Sequence, residues 1–175
     1  ASPYIISKHK KRLSRAIEIS HKLNCPFYYC NRVGSEDEII FDGQSFVLNG
    51  DTILEQANKF TPQIIETSIV KKNDHYKEFS TNPELTWESL FNAKLNHSTS
   101  PPIVQPWDDS DCQEVLEALV FGFKEYSQKN GFNKFTIALS GGMDSALVLT
   151  ILRLALIQGQ SLEAIYMTSV HSSHL

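Results

Sequence analysis

Cysteine is scarce and unpaired. The three cysteines, Cys25, Cys30 and Cys112, are odd in number and lack CxxC spacing, which argues against a disulfide framework or a zinc site and for a reducing compartment. They read as small buried hydrophobes. Long apolar runs are also missing, and none approaches the ~18 residues of a membrane-spanning helix. Positive charge is not in excess: 16 Lys and Arg against 20 Asp and Glu leave a formal net charge of −4. No global basic field therefore points to nucleic acid or an anionic membrane. A signal-peptide pattern is lacking, because Ala1-Ser-Pro-Tyr4 leads into a helix-like segment. Position 1 is not Met, so an internal stretch of a longer chain is expected. No internal repeat or low-complexity tract is visible. A cytoplasmic location is the expectation.

The 175 residues are 41% hydrophobic and 21% charged, enough for a packed core in one domain or in pieces of two. Residues 7–23 have helical periodicity, with Leu13 and Ile17 on one row and Ala16 and Leu23 on the next. Ser7 is the expected N-cap, and Asn24 with Pro26 stops the helix. Residues 26–31 read as an aromatic strand, and 34–37 as a turn. Residues 38–41 and 45–48 read as strands joined by a hairpin at Asp42-Gly43. Asn49-Gly50 is a further turn, leading into a strand at 52–54. Residues 72–110 change character, with Lys71-Lys72-Asn-Asp-His75, Ser98-Thr-Ser-Pro-Pro102 and Pro106. They read as a connector, with a short helix near 87–95. Residues 111–130 form a second amphipathic pattern carrying Val115, Leu116, Leu119, Val120, Phe123 and Tyr126, stopped by Asn130-Gly131. Lys134–Leu139 is nearly continuous in apolar character, as in a strand buried on both faces. A helix at 146–158 and a strand at 162–167 follow. Strand, loop, helix and strand in that order begin a doubly wound parallel α/β sheet.

The chemistry concentrates in the loop Ser140-Gly141-Gly142-Met143-Asp144-Ser145. It lies between a buried strand and a helix, where outward N–H groups and the positive dipole end suit a phosphate. Two consecutive glycines remove the Cβ atoms that would hold phosphate oxygens off the backbone. Ser140 and Ser145 add hydroxyl donors. With no lysine and a shorter span, this is not the GxxxxGK[ST] loop. A carboxylate beside a polyphosphate is repulsive unless a divalent cation lies between them, so Asp144 is the candidate Mg²⁺ ligand. The plainer reading is that Asp144 is a favourable charge in a first helical turn.

The SGG-x-DS loop after a buried strand resembles the signature of the ATP pyrophosphatase families. Residues 118–131 and then 137–148 resemble the entry to the synthetase domain of glutamine-dependent NAD⁺ synthetases. The segment 166–173 is similar to the one after that family's second strand, with Thr168 and His171 standing where a proline and an aromatic are usual. The front of the chain agrees. Ser2-Pro-Tyr-Ile-Ile-Ser-Lys8 resembles the segment after the nucleophile of the fused nitrilase-type glutaminase, and residues 31–47 resemble the strands that follow it. The family commonly has Gly where Ser7 stands, and no role is carried onto Ser7.

The resemblance implies an α/β fold: the C-terminal part of a nitrilase-like α-β-β-α sandwich over 1–71, a connector over 72–110, and the N-terminal part of an ATP pyrophosphatase-type sheet over 111–175. It implies ATP binding by Leu139, Ser140, Gly141, Gly142, Met143, Asp144, Ser145 and Ala146, Mg²⁺ at Asp144, and glutamine binding by Ser2 and Lys8. The implied reaction joins nicotinate adenine dinucleotide and ammonia from glutamine, at the expense of ATP, to give NAD⁺, AMP and pyrophosphate. The family's catalytic Glu, Lys and Cys are expected upstream of Ser2, so residues 1–175 alone should be inactive. A homo-oligomer is implied, and no nucleic-acid or membrane partner. The charges of Lys10, Lys11 and Arg12 read as a solvated face. Two alternatives remain: another amide-forming or base-modifying ATP pyrophosphatase, which leaves the front half unexplained, and a catalytically dead scaffold or binding subunit.

Overall fold

A computed structural model describes residues 1–68 and 106–167. Residues 72–105 of the connector expected over 72–110, its short helix, and the segment from Thr168 onward lie outside the described residues, and the last two connector positions, 109 and 110, are helical. The described residues from Ala1 to Thr67 and from Trp107 on belong to one compact unit.

The fold is α/β with mixed strand pairing. Helix α1 (Lys8–Leu23) opens it. Its apolar rows meet a three-stranded antiparallel sheet of β1 (Phe27–Tyr29), β4 (Phe46–Asn49) and β5 (Thr52–Gln56), ordered β1-β4-β5. Ala16, Phe46 and Leu48 form the buried centre, with Leu13, Ile17, Phe27 and Tyr29 packed around them. Tyr29 stacks on Phe46 at 5.0 Å between ring centroids. The helix ends where Asn24 turns left-handed and returns its N–H to the His21 and Ser20 carbonyls, the αL termination expected of Asn. At the other end, Ser7 occupies the N-cap position in the left-handed region (φ 61) and makes no side-chain cap. With that backbone, its hydroxyl does not reach the first-turn N–H groups as a β-region N-cap would.

Three other expectations change. The turn expected at 34–37 falls instead at Asp37 and Glu38, with Asp37 at φ 48, because β2 (Val33–Glu36) pairs antiparallel with β3 (Ile39–Asp42). Asp42-Gly43 is not a hairpin but the exit from β3. Gly43 donates to the Arg32 carbonyl at 2.9 Å and bridges to Lys59. At φ +69, a Cβ on Gly43 would come 2.5 Å from Val33 Cγ2, so close packing rather than hairpin chemistry requires the glycine. Arg12 is not on a solvated face. Its side chain is 7% exposed and is paired with Asp42, 3% exposed, at 2.7 Å. Lys10 and Lys11 are exposed, as expected.

Helix α2 (Asp109–Lys129) is capped by Asp108, whose side chain accepts the Asp111 N–H at 2.8 Å. It packs on the β2–β3 hairpin. A Cβ on Gly122 would lie 2.7 Å from Ile40 Cδ1, and Lys59 pairs with Glu114 at 2.9 Å. Strand β6 (Lys134–Leu139) then pairs in parallel with β7 (Ser161–Tyr166), from Lys134↔Ser161 to Leu139↔Tyr166. Between them runs α3 (Met143–Ala155). The helix begins three residues earlier than expected, since Gly142 supplies the N-cap, and ends at Ala155. β6 is not buried on both faces. Phe135, Ile137 and Leu139 are half-buried, and Phe135 meets Phe123 of α2 edge-on at 5.0 Å between centroids. Lys134, Thr136 and Ala138 are exposed. Among the described residues nothing covers that second face.

Candidate functional site

The parallel pairing of β6 and β7 brings β6 to its C-terminal end at Leu139, and the chain turns there into α3. Ligands of open α/β sheets bind at such carboxyl ends. Gly141 takes φ +80, and Gly142 is extended (φ −86, ψ 161). Ser140 and Ser145 close the loop: Ser140 N–H donates to Ser145 Oγ at 3.3 Å, the two hydroxyls are 3.2 Å apart, and Ser145 Oγ donates to the Gly142 carbonyl at 3.0 Å. The Gly142 N–H donates to Ser140 Oγ at 3.3 Å.

The start of α3 is open. Glycine at its N-cap supplies no side-chain acceptor, so no cap occupies the first-turn N–H groups of Met143, Asp144 and Ser145. Helix α2, by contrast, is closed by Asp108. The loop is exposed, apart from half-buried Ser145 and Leu139. Met143 is 84% exposed and Ala146 is exposed on the first turn. An anion entering here would meet backbone donors and a dipole end without displacing a protein acceptor. The carboxylate of Asp144 makes no hydrogen bond or ion pair with the described residues. Among them, no group of three or more His, Cys, Asp or Glu could hold a metal ion. One free carboxylate fits Mg²⁺ only in the manner in which phosphate oxygens and water complete the shell.

The second group of expected residues lies on the segment before α1. Lys8 is half-buried, and its ammonium donates once, to the Pro3 carbonyl at 3.1 Å. Ser2 is held on all sides. Its N–H donates to Asn31 Oδ1 at 2.8 Å, and its carbonyl accepts from Asn31 Nδ2 at 3.1 Å and from Arg12 at 3.0 Å. Arg12 also donates to Ser2 Oγ at 3.3 Å, to the Pro3 carbonyl at 3.1 Å and to both Asp42 oxygens at 2.9 and 2.7 Å. Asn31 completes this cluster by donating to Asp42 Oδ1 at 3.2 Å and the Gly43 carbonyl at 3.1 Å. Sequence reading missed Arg12, Asn31 and Asp42, because no local pattern links a helix residue to a strand end far along the chain.

The neighbours of this segment are shielded. His9 meets Phe46 edge-on at 6.0 Å between centroids, and burial together with the charge of Arg12 lowers its pKa from the usual imidazole value. Tyr4 is fixed by its N–H to the Ile40 carbonyl at 2.7 Å. Burial and then the Glu114 carboxylate raise its phenol pKa. Its ring meets Phe60 edge-on at 5.7 Å, and Phe60 meets Phe121 of α2 at 5.1 Å. No hydrogen bond or ion pair among the described residues joins the Ser2–Lys8 group to the loop at 140–145. Cys25 is partly buried, Cys30 and Cys112 are exposed, and all three are free thiols. No helix among the described residues is long and apolar enough to cross a membrane.

Residues 115–175 match the NAD synthase family. Along the whole chain there is 30% identity over 176 residues with the glutamine-dependent NAD(+) synthetase of Acinetobacter baylyi, covering 100% of this chain and 28% of that protein. The enzyme of the same description from Thermotoga maritima is 31% identical over 184 residues, covering 99% of this chain and 31% of its own length. Among solved structures, the glutamine-dependent NAD⁺ synthetase of Acinetobacter baumannii in complex with ADP superposes with a TM-score of 0.68 at 24% identity, over 99% of this chain and 28% of that one. That of Cytophaga hutchinsonii gives 0.58 at 19%, over 89% and 21%. The chain spans under a third of the length of these relatives.

Proposed function

We infer, from a chain whose residues 115–175 belong to the NAD synthase family, that the full protein amidates nicotinate adenine dinucleotide to NAD⁺ with ammonia released from glutamine. The observation that carries this reading is the uncapped start of α3 behind Gly141-Gly142, at the carboxyl end of β6, within the family-matched segment. Residues 1–71 are read as the end of a nitrilase-like glutaminase, 72–110 as a connector and 111–175 as the start of an ATP pyrophosphatase-type sheet. The glutaminase Glu, Lys and Cys are assigned to sequence before Ser2.

In this reading the loop Leu139–Ala146 receives the ATP phosphates. The N–H groups of Met143, Asp144 and Ser145 donate to phosphate oxygens that become pyrophosphate, and the Ser140 and Ser145 hydroxyls turn from each other and from the Gly142 carbonyl to join them. Gly141 and Gly142 keep the backbone within reach. Asp144 would hold Mg²⁺, which supplies charge neutralisation between its carboxylate and the phosphates. A carboxylate oxygen of the nicotinate attacks the α-phosphorus, and the bond to the bridging α–β oxygen breaks. Ammonia then attacks the acyl carbon, and AMP departs with one former carboxylate oxygen. In the front half, Ser2 and Lys8 bind the glutamine that supplies the ammonia.

The route fixes the fate of an isotope. With nicotinate adenine dinucleotide labelled with ¹⁸O in its carboxylate, the full-length protein is expected to release AMP carrying one ¹⁸O, and unlabelled pyrophosphate, for each NAD⁺ formed. Mass spectrometry of the products reads this. Production of ADP and phosphate, or unlabelled AMP, would rule the adenylate route out.

A further inference from the structure

The Arg12 guanidinium has five N–H donors, and the structure shows five hydrogen bonds from it: two to Asp42, one each to the Ser2 carbonyl and Ser2 Oγ, and one to the Pro3 carbonyl. No donor is left for a ligand, and Asp42 balances its charge. Lys8 contrasts with it. One of its three ammonium donors is used, on Pro3, and it forms no ion pair among the described residues. Ser2 differs again. Its N–H and carbonyl are occupied, and its Oγ accepts from Arg12 Nε. An Oγ that already accepts from an N–H keeps its own hydrogen to donate, and the described residues offer that hydrogen no acceptor.

We propose that Arg12 is a positioning residue of the amide-donor site. Its fork fixes the two carbonyls of Ser2-Pro3 and leaves the Ser2 hydroxyl hydrogen and two Lys8 donors for an oxygen-rich ligand such as the carboxylate of an amino acid. Asn31 braces the same turn from the opposite side, holding both the N–H and the carbonyl of Ser2. The inference rests on the reading that Ser2 and Lys8 bind glutamine. Lysine cannot replace this arginine. An ammonium in its place keeps one positive charge beside Asp42, but its three donors radiate from a single atom and cannot span Asp42, Ser2 and Pro3 together.

The test uses glutamine hydrolysis and NAD⁺ formation by the full-length protein. Arg12→Lys is expected to raise the KM for glutamine about 10-fold or more. Its kcat should stay within about threefold, the signature of lost ground-state binding, and ammonium-supported NAD⁺ formation should be unchanged. A purely structural ion pair would be satisfied by lysine, so a normal glutamine KM in Arg12→Lys overturns the proposal. Asn31→Ala removes the other brace and is the second variant, should Arg12→Lys not fold. It too should raise the KM, and a normal value again overturns the proposal. Ser2→Ala and Lys8→Ala, run alongside, separate the two claims. If they raise the KM and the brace variants do not, glutamine binding stands and the positioning role falls. If neither raises it, the glutamine reading falls and the positioning role with it.

Discussion

Asp144→Asn in the full-length protein is expected to cut ATP-dependent NAD⁺ formation by about two to three orders of magnitude, the usual loss when one electrostatic group is removed from a charge-developing step. The substitution preserves size, and Asp144 is an exposed first-turn residue without a protein partner, so the fold should hold. The defect should lie in release of pyrophosphate and AMP, and raising Mg²⁺ should restore part of it, because the amide can still coordinate weakly through its oxygen. The competing reading makes Asp144 only a favourable charge on the helix dipole. Its removal would then cost ~0.3–1 kcal/mol of stability and leave turnover intact. Pyrophosphate release measured across a Mg²⁺ series distinguishes the two. Unchanged turnover at limiting Mg²⁺ contradicts the metal role.

Asp42→Ala should damage stability far more than Asp144→Asn or Lys8→Ala. It leaves the Arg12 guanidinium, 7% exposed, without its counter-charge, and breaking a buried pair from one side costs about 3–5 kcal/mol. Asn31 Nδ2 would lose an acceptor as well. The loss should appear in native-state hydrogen exchange at Phe46–Leu48, the strand packed under α1, where local opening free energies are read directly. Replacing both partners with apolar residues of similar volume, Arg12→Met with Asp42→Leu, should recover much of it, since no uncompensated charge remains. Glutamine binding should stay impaired in that double variant, because Ser2 and Pro3 still lack their donors. Exchange protection of Phe46–Leu48 unchanged by Asp42→Ala would show that water reaches the pair more freely than its burial implies.

These residues also mark where local pattern stops being informative. The loop at 140–145 is legible because its chemistry is contiguous: two glycines, two hydroxyls and a carboxylate between an apolar run and a helix. Helix α1 is legible because Leu13, Ala16 and Ile17 repeat at its period: Ala16 belongs to the buried centre, and Leu13 and Ile17 pack against it. Arg12 is not, since nothing beside it separates it from exposed Lys10 and Lys11. Its partner Asp42 lies 30 residues on, and only the return of the chain through β1, β2 and β3 brings them together. Gly43 misleads for a related reason. Asp-Gly is a hairpin signal, yet this glycine answers to Val33 across the sheet. Gly122 carries no turn signal in mid-helix, and its reason is Ile40, from the other half of the chain. The apolar run of β6 suggests burial on both faces, whereas the described structure covers the side of Phe135, Ile137 and Leu139. Strand composition records what a strand can bury, and neighbours decide what it does bury.

The division of labour between the Ser2–Lys8 segment and the loop at 140–145 is tested most directly by one comparison. NAD⁺ formation is measured for Lys8→Ala and Asp144→Asn in the full-length protein, once with glutamine and once with a high concentration of ammonium chloride. Loss of a charge-assisted contact at Lys8 costs roughly 1.5–3 kcal/mol, so the glutamine-supported rate should fall by about one to two orders of magnitude. Ammonium bypasses glutamine binding, and the Lys8→Ala rate should return to that of the parent. In the proposed route Asp144 serves activation of the carboxylate, so the Asp144→Asn rate should remain low with either nitrogen source. Rescue of Asp144→Asn by ammonium, or failure of ammonium to rescue folded Lys8→Ala, would contradict the assignment of the two sites.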